Sequence, residues 1–194
     1  IVMSPKGENG KIGDGDVFTP AFLHAVQDVT EAAWQLPWST RVDSISNYQH
    51  SQGIEDELLI DDLVSEDRPL DTAEIKRIKD ITNADPLIHG RLIAHTGKVT
   101  LVNVTIQTPE LSEEETPHLV KLTREMVAQF RKDYPAIEFR LTGAVFLDNA
   151  FSEMAQKDMV SLVPIMFVIL IVTLGLLLRS FSATLATLTI IILS

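Results

Sequence analysis

The stretch MVSLVPIMFVILIVTLGLLL, at residues 159–178, is 20 residues long and contains no ionisable side chain. This length matches the ~20 residues that an α-helix needs to cross ~30 Å of hydrocarbon. Fourteen of its residues are Leu, Ile, Val or Phe, and together they favour membrane insertion by about 4 to 8 kcal/mol. The sequence therefore predicts a transmembrane helix at 159–178.

A second apolar run begins at residue 183, after the short turn 179–182. We expect residues 183–194 to be the truncated start of a second transmembrane helix, and we expect both ends of the chain to be cut from a longer protein. Arg179 in the turn favours a cytoplasmic position for that turn, although Lys157 flanks the other end of the helix. Residues 1–158 are then predicted to be extracytoplasmic.

The charges are concentrated before the membrane segment. Residues 1–158 carry 15 Lys and Arg and 27 Asp and Glu, a net charge of −12. An acidic region of this kind argues against nucleic acid as a partner and against docking on anionic lipid headgroups, since both require basic patches. The chain has no cysteine, which excludes disulfides and thiolate metal sites.

The N-terminal half alternates strand and helix signals. Residues 1–5 are predicted to be the end of a strand, and Thr19 followed by Pro20 is typical of a helix start. Apolar residues at helical spacing predict one buried face of this first helix: Phe22, Val26, Val29, Ala33 and Leu36. Residues 41–47 predict a short strand, and the acidic stretch 48–67 predicts an irregular excursion from the fold.

The second half of this region contains clearer signals. Asp71 and Glu74 form a capping-box pattern that predicts a second helix. Residues 91–94 and 99–108 predict a β-hairpin around the turn 95–98. A third helix is predicted to begin at Ser112 or at Thr116, two competing starts, and to end before Pro135. Alternation over 137–142 predicts a last strand.

This order of elements predicts an α+β fold of ferredoxin-like type, with βαβ units on a largely antiparallel sheet, followed by transmembrane α-helices. The predicted domains are an extracytoplasmic, porter-like domain at 1–146, a long helix at 147–178 that is first juxtamembrane and then transmembrane, and the start of a further helix at 183–194. A helix over 147–178 would be ~48 Å long. It would therefore join the soluble domain to the membrane without a linker, and its first turns would pack on that domain.

A search for catalytic and metal-binding motifs predicts no enzyme. The five histidines, at positions 24, 50, 89, 95 and 118, show no metal-ligand spacing, and no nucleotide or nucleophile motif occurs. Trp34 and Trp38 fit either core packing or a binding surface, and core packing is favoured. We therefore assign no catalytic, cofactor-binding or metal-binding residue and no cofactor, and leave the substrate-binding residues unassigned.

The chain resembles the resistance-nodulation-division (RND) superfamily, in particular the exporters of its MMPL-like branch. The matching motifs are DVFTP with Phe22-Leu23 at 16–23, RVDSISN at 41–47, Thr142-Gly143, Asp158 with LVP at 162–164, and LRSF at 178–181. The resemblance implies that the soluble domain is the first periplasmic porter domain, that 159–178 is transmembrane helix two, and that helix three follows. It also implies that the proton-coupling residues lie in later helices.

The leading hypothesis is therefore part of a proton-driven RND-type exporter of hydrophobic or amphiphilic compounds in the bacterial inner membrane. The soluble domain would guide substrate, and the long helix would couple it to the membrane domain. The alternatives are a protein-translocase accessory subunit or sterol-sensing receptor of the same superfamily, or a membrane-anchored binding module. The expected partners are the lipid bilayer, the substrate, and either further copies of the chain or a periplasmic protein.

Overall fold

A computed structural model describes residues 1–7, 12–54, 57–65, 67–109, 112, 114–178 and 189. At 52–54 and 57–59 it describes the backbone alone. The chain divides into two compact units, Ile1–Phe146 and Leu147–Ser194. The first unit, called the head below, mixes helices with small antiparallel sheets. What is described of the second unit is mainly one apolar helix.

The centre of the head is strand β1 (Val2–Pro5), which pairs antiparallel with a strand on each side. One neighbour is β7 (Ile137–Arg140), where Met3 lies opposite Phe139. The other is β5 (Thr100–Leu101). Met3 and Phe139 are fully buried, so the middle of this sheet is also the middle of the hydrophobic core.

A second strand pair continues from β5 along the chain. Strand β2 (Ser39–Asp43) pairs antiparallel with β6 (Asn103–Ile106). Only Val102 separates β6 from β5, and its backbone N–H donates to the carbonyl oxygen of Ile1 at 2.8 Å. The chain therefore changes partner at Val102, from β1 on one side to β2 on the other.

This change of partner corrects the predicted hairpin. The second arm, at 99–108, is divided into β5 and β6. The first arm, at 91–94, is not a regular strand, but it pairs with the start of the second arm through an antiparallel bridge between Ile93 and Thr100 and through the Leu101 N–H, which donates to the Leu92 carbonyl at 2.9 Å. The turn between them is confirmed, since the Ala94 N–H donates to Val99 and Gly97 has a φ of 65°. The local pairing is therefore limited to the residues next to the turn, and the second arm forms its regular pairs with β1 and β2.

The helix starts follow their capping residues closely. Helix α1 (Pro20–Trp34) is capped by Thr19, whose hydroxyl accepts from the Phe22 N–H at 3.3 Å. Helix α2 (Thr72–Ala84) is capped by Asp71, which accepts from the Glu74 N–H at 2.8 Å. Both predicted starts are confirmed. The third helix, α3 (Glu115–Asp133), begins between the two predicted starts, with Glu114 at its N-cap.

The core of the head lies between the helices and the sheet strands. Helix α1 packs on β2 and α3 packs on β7. The apolar face predicted for α1 is buried at Phe22, Val26, Val29, Ala33 and Leu36. The last strand is also confirmed, since Ile137 and Phe139 are buried while Arg140 is exposed.

The stretch 48–67 is more regular than predicted. It forms an antiparallel hairpin of β3 (Gln49–Ile54) and β4 (Glu57–Asp62), with six cross-strand pairs. Among the described strands, β3 and β4 pair only with each other. The sequence of this hairpin lacks the alternating apolar pattern of a half-buried strand, so the local pattern does not predict its strands.

The apolar helix, α4 (Ala144–Leu178), is continuous over 35 residues and begins three residues before the predicted Leu147. Within the described part of the chain it is the one helix long and apolar enough to cross a membrane. The predicted turn at 179–182 and the start of a further helix at 183–194 lie outside the described residues, except for position 189.

Candidate functional site

A cleft of about 490 Å³ opens on the surface of the head. Its walls are the outward face of α1, the turn at 44–47 that follows β2, and the segment 61–70 at the base of the β3–β4 hairpin. The cleft thus lies where the hairpin leaves the rest of the head, and its shape depends on how firmly these three segments are joined.

The outward face of α1 supplies one wall. Phe22, Val26 and Val29 turn into the core, and the helical period then places the residues between them outside. Those that line the cleft from this face are His24, Gln27, Asp28, Glu31 and Trp34. The wall is therefore a consequence of the amphipathic pattern of α1, and it is mostly polar.

A cluster of buried hydroxyl groups forms the floor. Ser44, Ser46 and Thr30 are all buried. The Thr30 hydroxyl lies 2.9 Å from the Ser44 hydroxyl, which lies 2.7 Å from that of Ser46. Because hydrogen bonds in a low-dielectric site reinforce one another, this cluster ties α1 firmly to the turn.

The turn at 44–47 also corrects a predicted strand. Strand β2 ends at Asp43, and the Asn47 side chain then closes a compact turn. Its carbonyl oxygen accepts from the Ser44 N–H at 2.8 Å, and its amide donates to the Val42 carbonyl at 2.7 Å. These bonds satisfy backbone groups that a continued strand would have paired with a neighbour.

The remaining wall is formed by the base of the hairpin. The Gln27 amide donates to the Val64 carbonyl at 3.1 Å, which joins α1 to this segment. Arg68 forms an ion pair with Asp61 and lies 3.7 Å from a carboxylate oxygen of Glu74. This arginine therefore ties the hairpin base to the first turn of α2.

The electrostatic character of the cleft is acidic. Asp28, Glu31, Asp61 and Asp62 line it, against one guanidinium, that of Arg68. Burial, and secondarily the negative charge of Asp61, raise the pKa of Asp62. This direction is expected where carboxylates share a partly desolvated site.

The carboxylate of Asp28 has a defined partner outside the cleft. It accepts a hydrogen bond from the hydroxyl of Tyr134, the residue that follows α3. That hydrogen bond raises the pKa of Tyr134 to about 12. The bond links the wall of the cleft to the end of α3, 106 residues along the chain.

The two tryptophans have different surroundings. Trp38 is partly buried against the core and has a φ of 60°, a left-handed conformation that is uncommon outside glycine. Trp34 lines the cleft and is 46% exposed. The prediction of core packing is therefore wrong for Trp34, because Ala33 occupies the buried position in the last turn of α1 and Trp34 lies on the outward face.

A contact between two histidines was not visible in the sequence pattern. The rings of His89 and His95 lie 4.8 Å apart, and His95 packs so closely on Gly90 that a Cβ there would come within 2.5 Å of it. Gly90 has a φ of 81°. Among the described residues no group of three His, Cys, Asp or Glu side chains could hold a metal ion.

The surface of α4 differs from that of the head. Its large apolar side chains are exposed along most of its length, up to 78% at Val160. A helix from the core of a soluble protein would bury these groups. The length of α4 and its exposed apolar side chains are those of a helix that could cross a membrane.

Comparison with known proteins gives a match to one protein family. The family model described as the MMPL family matches residues 18–194, which covers the head from the start of α1 as well as α4. No curated protein and no solved structure shows significant similarity to the chain.

Proposed function

The chain belongs to the MMPL family, and on that basis we propose that it is part of a proton-driven exporter of hydrophobic or amphiphilic compounds. Members of this family are membrane-associated and related to the transporters of the RND superfamily. In the proposal the head guides substrate and α4 couples the head to the membrane domain.

The observation that carries the proposal is the continuity of α4. The helix runs without a break from Ala144 to Leu178, and so from residues of the head into the charge-free stretch 159–178. Pro164 lies inside the helix, where it removes one backbone hydrogen bond and permits a bend. A continuous helix still transmits a movement from one end to the other, whereas a Gly- or Ser-rich linker would absorb it. This is the connection that coupling between a soluble domain and a membrane domain requires.

We further propose that the head has the ferredoxin-like arrangement of a porter domain. The strand pairings support this if β5 and β6 are taken together as one strand, since the order is then β7, β1, β5 with β6, and β2. Helices α1 and α3 provide the two crossovers, after β1 and after β6. The β3–β4 hairpin and α2 are then an insertion between the second and third strands of that arrangement.

The proposed location is the bacterial inner membrane, with several membrane passes and with residues 1–158 extracytoplasmic. One feature of the sequence supports the orientation. Arg179, in the short turn after the membrane segment, agrees with the excess of Lys and Arg in cytoplasmic loops.

Within the head, the cleft at Trp34 is the proposed contact surface for substrate. An exposed indole beside polar and charged groups fits an amphiphile, since it offers an apolar face next to hydrogen-bonding partners. The hydroxyl floor and the Gln27–Val64 bond make this surface largely preformed, which lowers the entropic cost of binding.

The test is transport by the full-length protein reconstituted in liposomes, with a fluorescent amphiphile as the probe. An imposed proton gradient should drive movement of the probe, and a protonophore should abolish it. Trp34→Ala should slow movement. Leu87→Ala, which removes a somewhat more exposed apolar side chain outside the cleft, should not. Binding without gradient-dependent movement would contradict the exporter and favour a binding module or receptor.

A further inference from the structure

A second surface groove of the head, called the arginine groove below, is lined by two arginines and three leucines: Arg41, Arg91, Leu87, Leu92 and Leu101. We infer that it binds an anionic amphiphile, an alkyl chain with a carboxylate or phosphate headgroup. The two guanidinium groups hold the headgroup, and the leucines contact the chain. This groove shares no lining residue with the cleft at Trp34, so its ligand site goes beyond the proposed function and does not depend on it.

The floor of the arginine groove follows from the alternation of side chains along β2, β5 and β6. Val42, Thr100 and Val102 are buried, and successive side chains of a strand point to opposite faces. The neighbouring residues therefore point away from the core, and those that line the groove are Arg41, Asp43, Leu101 and Asn103. Asp43 lies opposite Asn103 in the β2–β6 pair, so these strands present one continuous surface to the ligand.

The wall of the groove comes mainly from the segment 85–94, which follows α2. The lining residues outside the floor are Tyr48, Leu87, Arg91 and Leu92. The segment is fixed to β5, because the Leu92 carbonyl accepts from the Leu101 N–H at 2.9 Å and from the Thr100 hydroxyl at 2.8 Å. The groove is therefore preformed, and its volume of about 430 Å³ lies within the range of roughly 300–1,000 Å³ for small-molecule sites.

Arg91 supplies a guanidinium that has no acidic partner. In the part of the chain that the structure describes, no carboxylate forms an ion pair with it, whereas Arg68 and Arg77 each have one. Arg91 is also exposed. An exposed guanidinium without a counter-ion, in a region with a net charge of −12, is available to an anionic ligand.

Arg41 supplies the second guanidinium. Its Nε donates to Asp43 at 2.7 Å, and four of the five guanidinium N–H groups remain for a ligand. The nearby carboxylate of Asp85 accepts from the Tyr48 hydroxyl at 2.6 Å and from the Leu87 N–H at 2.8 Å. The lining side chains thus place two guanidinium groups against one carboxylate, and a planar guanidinium matches the two oxygens of a carboxylate or phosphate.

The leucines favour a ligand with an alkyl chain over a small anion. Leu87 is 56% exposed, and Leu92 and Leu101 are partly buried. A free phosphate ion would leave this apolar surface in water, whereas an alkyl chain covers it and gains affinity with each buried methylene group.

The acidity of the head argues against an acidic protein as the occupant. A standard interface covers about 800 Å² on each partner, so an acidic protein would bring negative charge against the acidic surface around the groove. A single headgroup meets mainly the two arginines, so a small anionic ligand avoids this repulsion.

The arginine groove and the cleft at Trp34 have opposite electrostatic character. Four carboxylates and one guanidinium line the cleft, which disfavours an anion there. The two sites therefore select different ligands. For a transport probe that binds in the cleft, Leu87→Ala remains a valid control.

The experiment is photocrosslinking of the full-length protein in phosphatidylcholine nanodiscs. The probe is dodecyl phosphate with a diazirine midway along its chain, and crosslinked residues are mapped by mass spectrometry. Probe dissolved in the bilayer labels 159–178 and provides the internal reference. Crosslinks at Leu87, Leu92 or Leu101 are expected in addition. Crosslinks confined to 159–178, or equally frequent at Trp34, would overturn the site.

Substitution of Arg91 tests the headgroup contact. Arg91→Gln should lower crosslinking in the groove about tenfold relative to 159–178, the factor that corresponds to about 1.4 kcal/mol of lost charge-assisted hydrogen bonding. Lys121→Gln, at an exposed position of α3, removes the same charge from the head and should leave the labelling unchanged. If both variants label the groove equally, Arg91 does not hold the headgroup and the site is refuted. Arg41→Gln should act in the same direction as Arg91→Gln.

Competition with unlabelled compounds tests the class of ligand. Dodecanoate should reduce crosslinking in the groove, since it shares the chain and a negatively charged oxygen headgroup with the probe, and no reduction would contradict a site for both headgroups. Inorganic phosphate at the same concentration should compete poorly, and equal competition would mean that the chain is not recognised. Equal competition by dodecyltrimethylammonium would refute selection for negative charge.

The transport assay separates this site from the exporter proposal. Crosslinks in the groove of a protein that shows no gradient-driven transport would support the site and contradict the exporter. Gradient-driven transport without crosslinks in the groove would do the reverse.

Discussion

Ser44→Ala is the substitution that most directly tests whether the floor of the cleft stabilises the head. The Ser44 side chain is fully buried, and its hydroxyl lies within hydrogen-bond distance of three other side chains. These are Ser46 at 2.7 Å, Thr30 at 2.9 Å and the Asn47 carbonyl oxygen at 3.0 Å. It also accepts from the backbone N–H of Ser46 at 3.2 Å.

The expected loss in free energy of unfolding depends on which partners of the Ser44 hydroxyl keep another hydrogen bond. Thr30 still donates to the Val26 carbonyl at 2.6 Å, and the Asn47 oxygen still accepts from the Ser44 N–H. The Ser46 N–H loses the acceptor described for it. Removing a buried partner in this way costs about 2 kcal/mol in free energy of unfolding, within a range of roughly 1 to 3 kcal/mol. For a domain of this size the melting temperature should fall by about 6 °C.

The assay is urea unfolding of residues 1–146, followed by the fluorescence of Trp34 and Trp38, both of which lie in the head. Ser51→Ala, at an exposed position of β3, is the control and should change stability by less than about 0.5 kcal/mol. If Ser44→Ala lowers the free energy of unfolding by no more than the control does, the reasoning is refuted. The hydroxyl cluster would then make no net contribution to stability.

Three further predictions concern the core, alkaline pH and the membrane segment. Phe139→Ala removes a fully buried ring next to Phe130 and should cost about 3 to 5 kcal/mol in the same urea assay, whereas Phe139→Leu should cost less than about 1.5 kcal/mol. The hydrogen bonds to Asp85 and Asp28 raise the pKa of Tyr48 and of Tyr134 from 10 to about 12. Because the unfolded chain then loses these protons first, stability should fall as pH rises from 10 to 12, and replacing both tyrosines by Phe should flatten that fall; an equally steep fall would contradict the assignment. Val168→Arg should disfavour insertion of 159–178 by about 3 kcal/mol, measurable as a lower inserted fraction in a translocon assay, and unchanged insertion would argue against a membrane-spanning position.

Capping signals predicted helices well because they act within a few residues. The Thr19 and Asp71 caps are read from the residue type and its spacing to the next N–H groups, and both were found where expected. At α3 two such signals compete, and the helix begins between them at Glu115. Glu114 at this N-cap makes no side-chain capping hydrogen bond, and the buried face of the helix begins one turn later, at Leu119.

Strand pairing was predicted less well because it depends on residues distant in sequence. The pattern at 91–108 fits a local hairpin, yet its second arm pairs with β1 and β2, which lie about 60 to 100 residues away. These segments compete for the second arm because its backbone N–H and C=O groups all need hydrogen-bond partners. The local pattern contains no information on which segment provides them. The β3–β4 hairpin was missed for the opposite reason, because its pairing is local but its side chains do not alternate.

The cleft could not be predicted from the sequence. Its floor joins Thr30 of α1 to Ser44 and Ser46, and its far wall brings Arg68 to Asp61 and Glu74. No spacing rule relates these residues, since their meeting depends on how α1, the turn at 44–47 and the hairpin pack. Trp34 and Trp38 illustrate the same limit, since only packing distinguishes the exposed ring from the covered one.

The sequence by itself determined that a long, uncharged, apolar helix follows an acidic α/β region, because hydropathy, charge and capping act locally and need no partner. The tertiary structure alone decided which strands pair, where the hydroxyl groups meet under the cleft, and that the ring of Trp34 is exposed while that of Trp38 is partly buried. Those features depend on the geometry of distant segments and on which surfaces other segments leave exposed. The order of residues along the chain does not show how these distant segments pack.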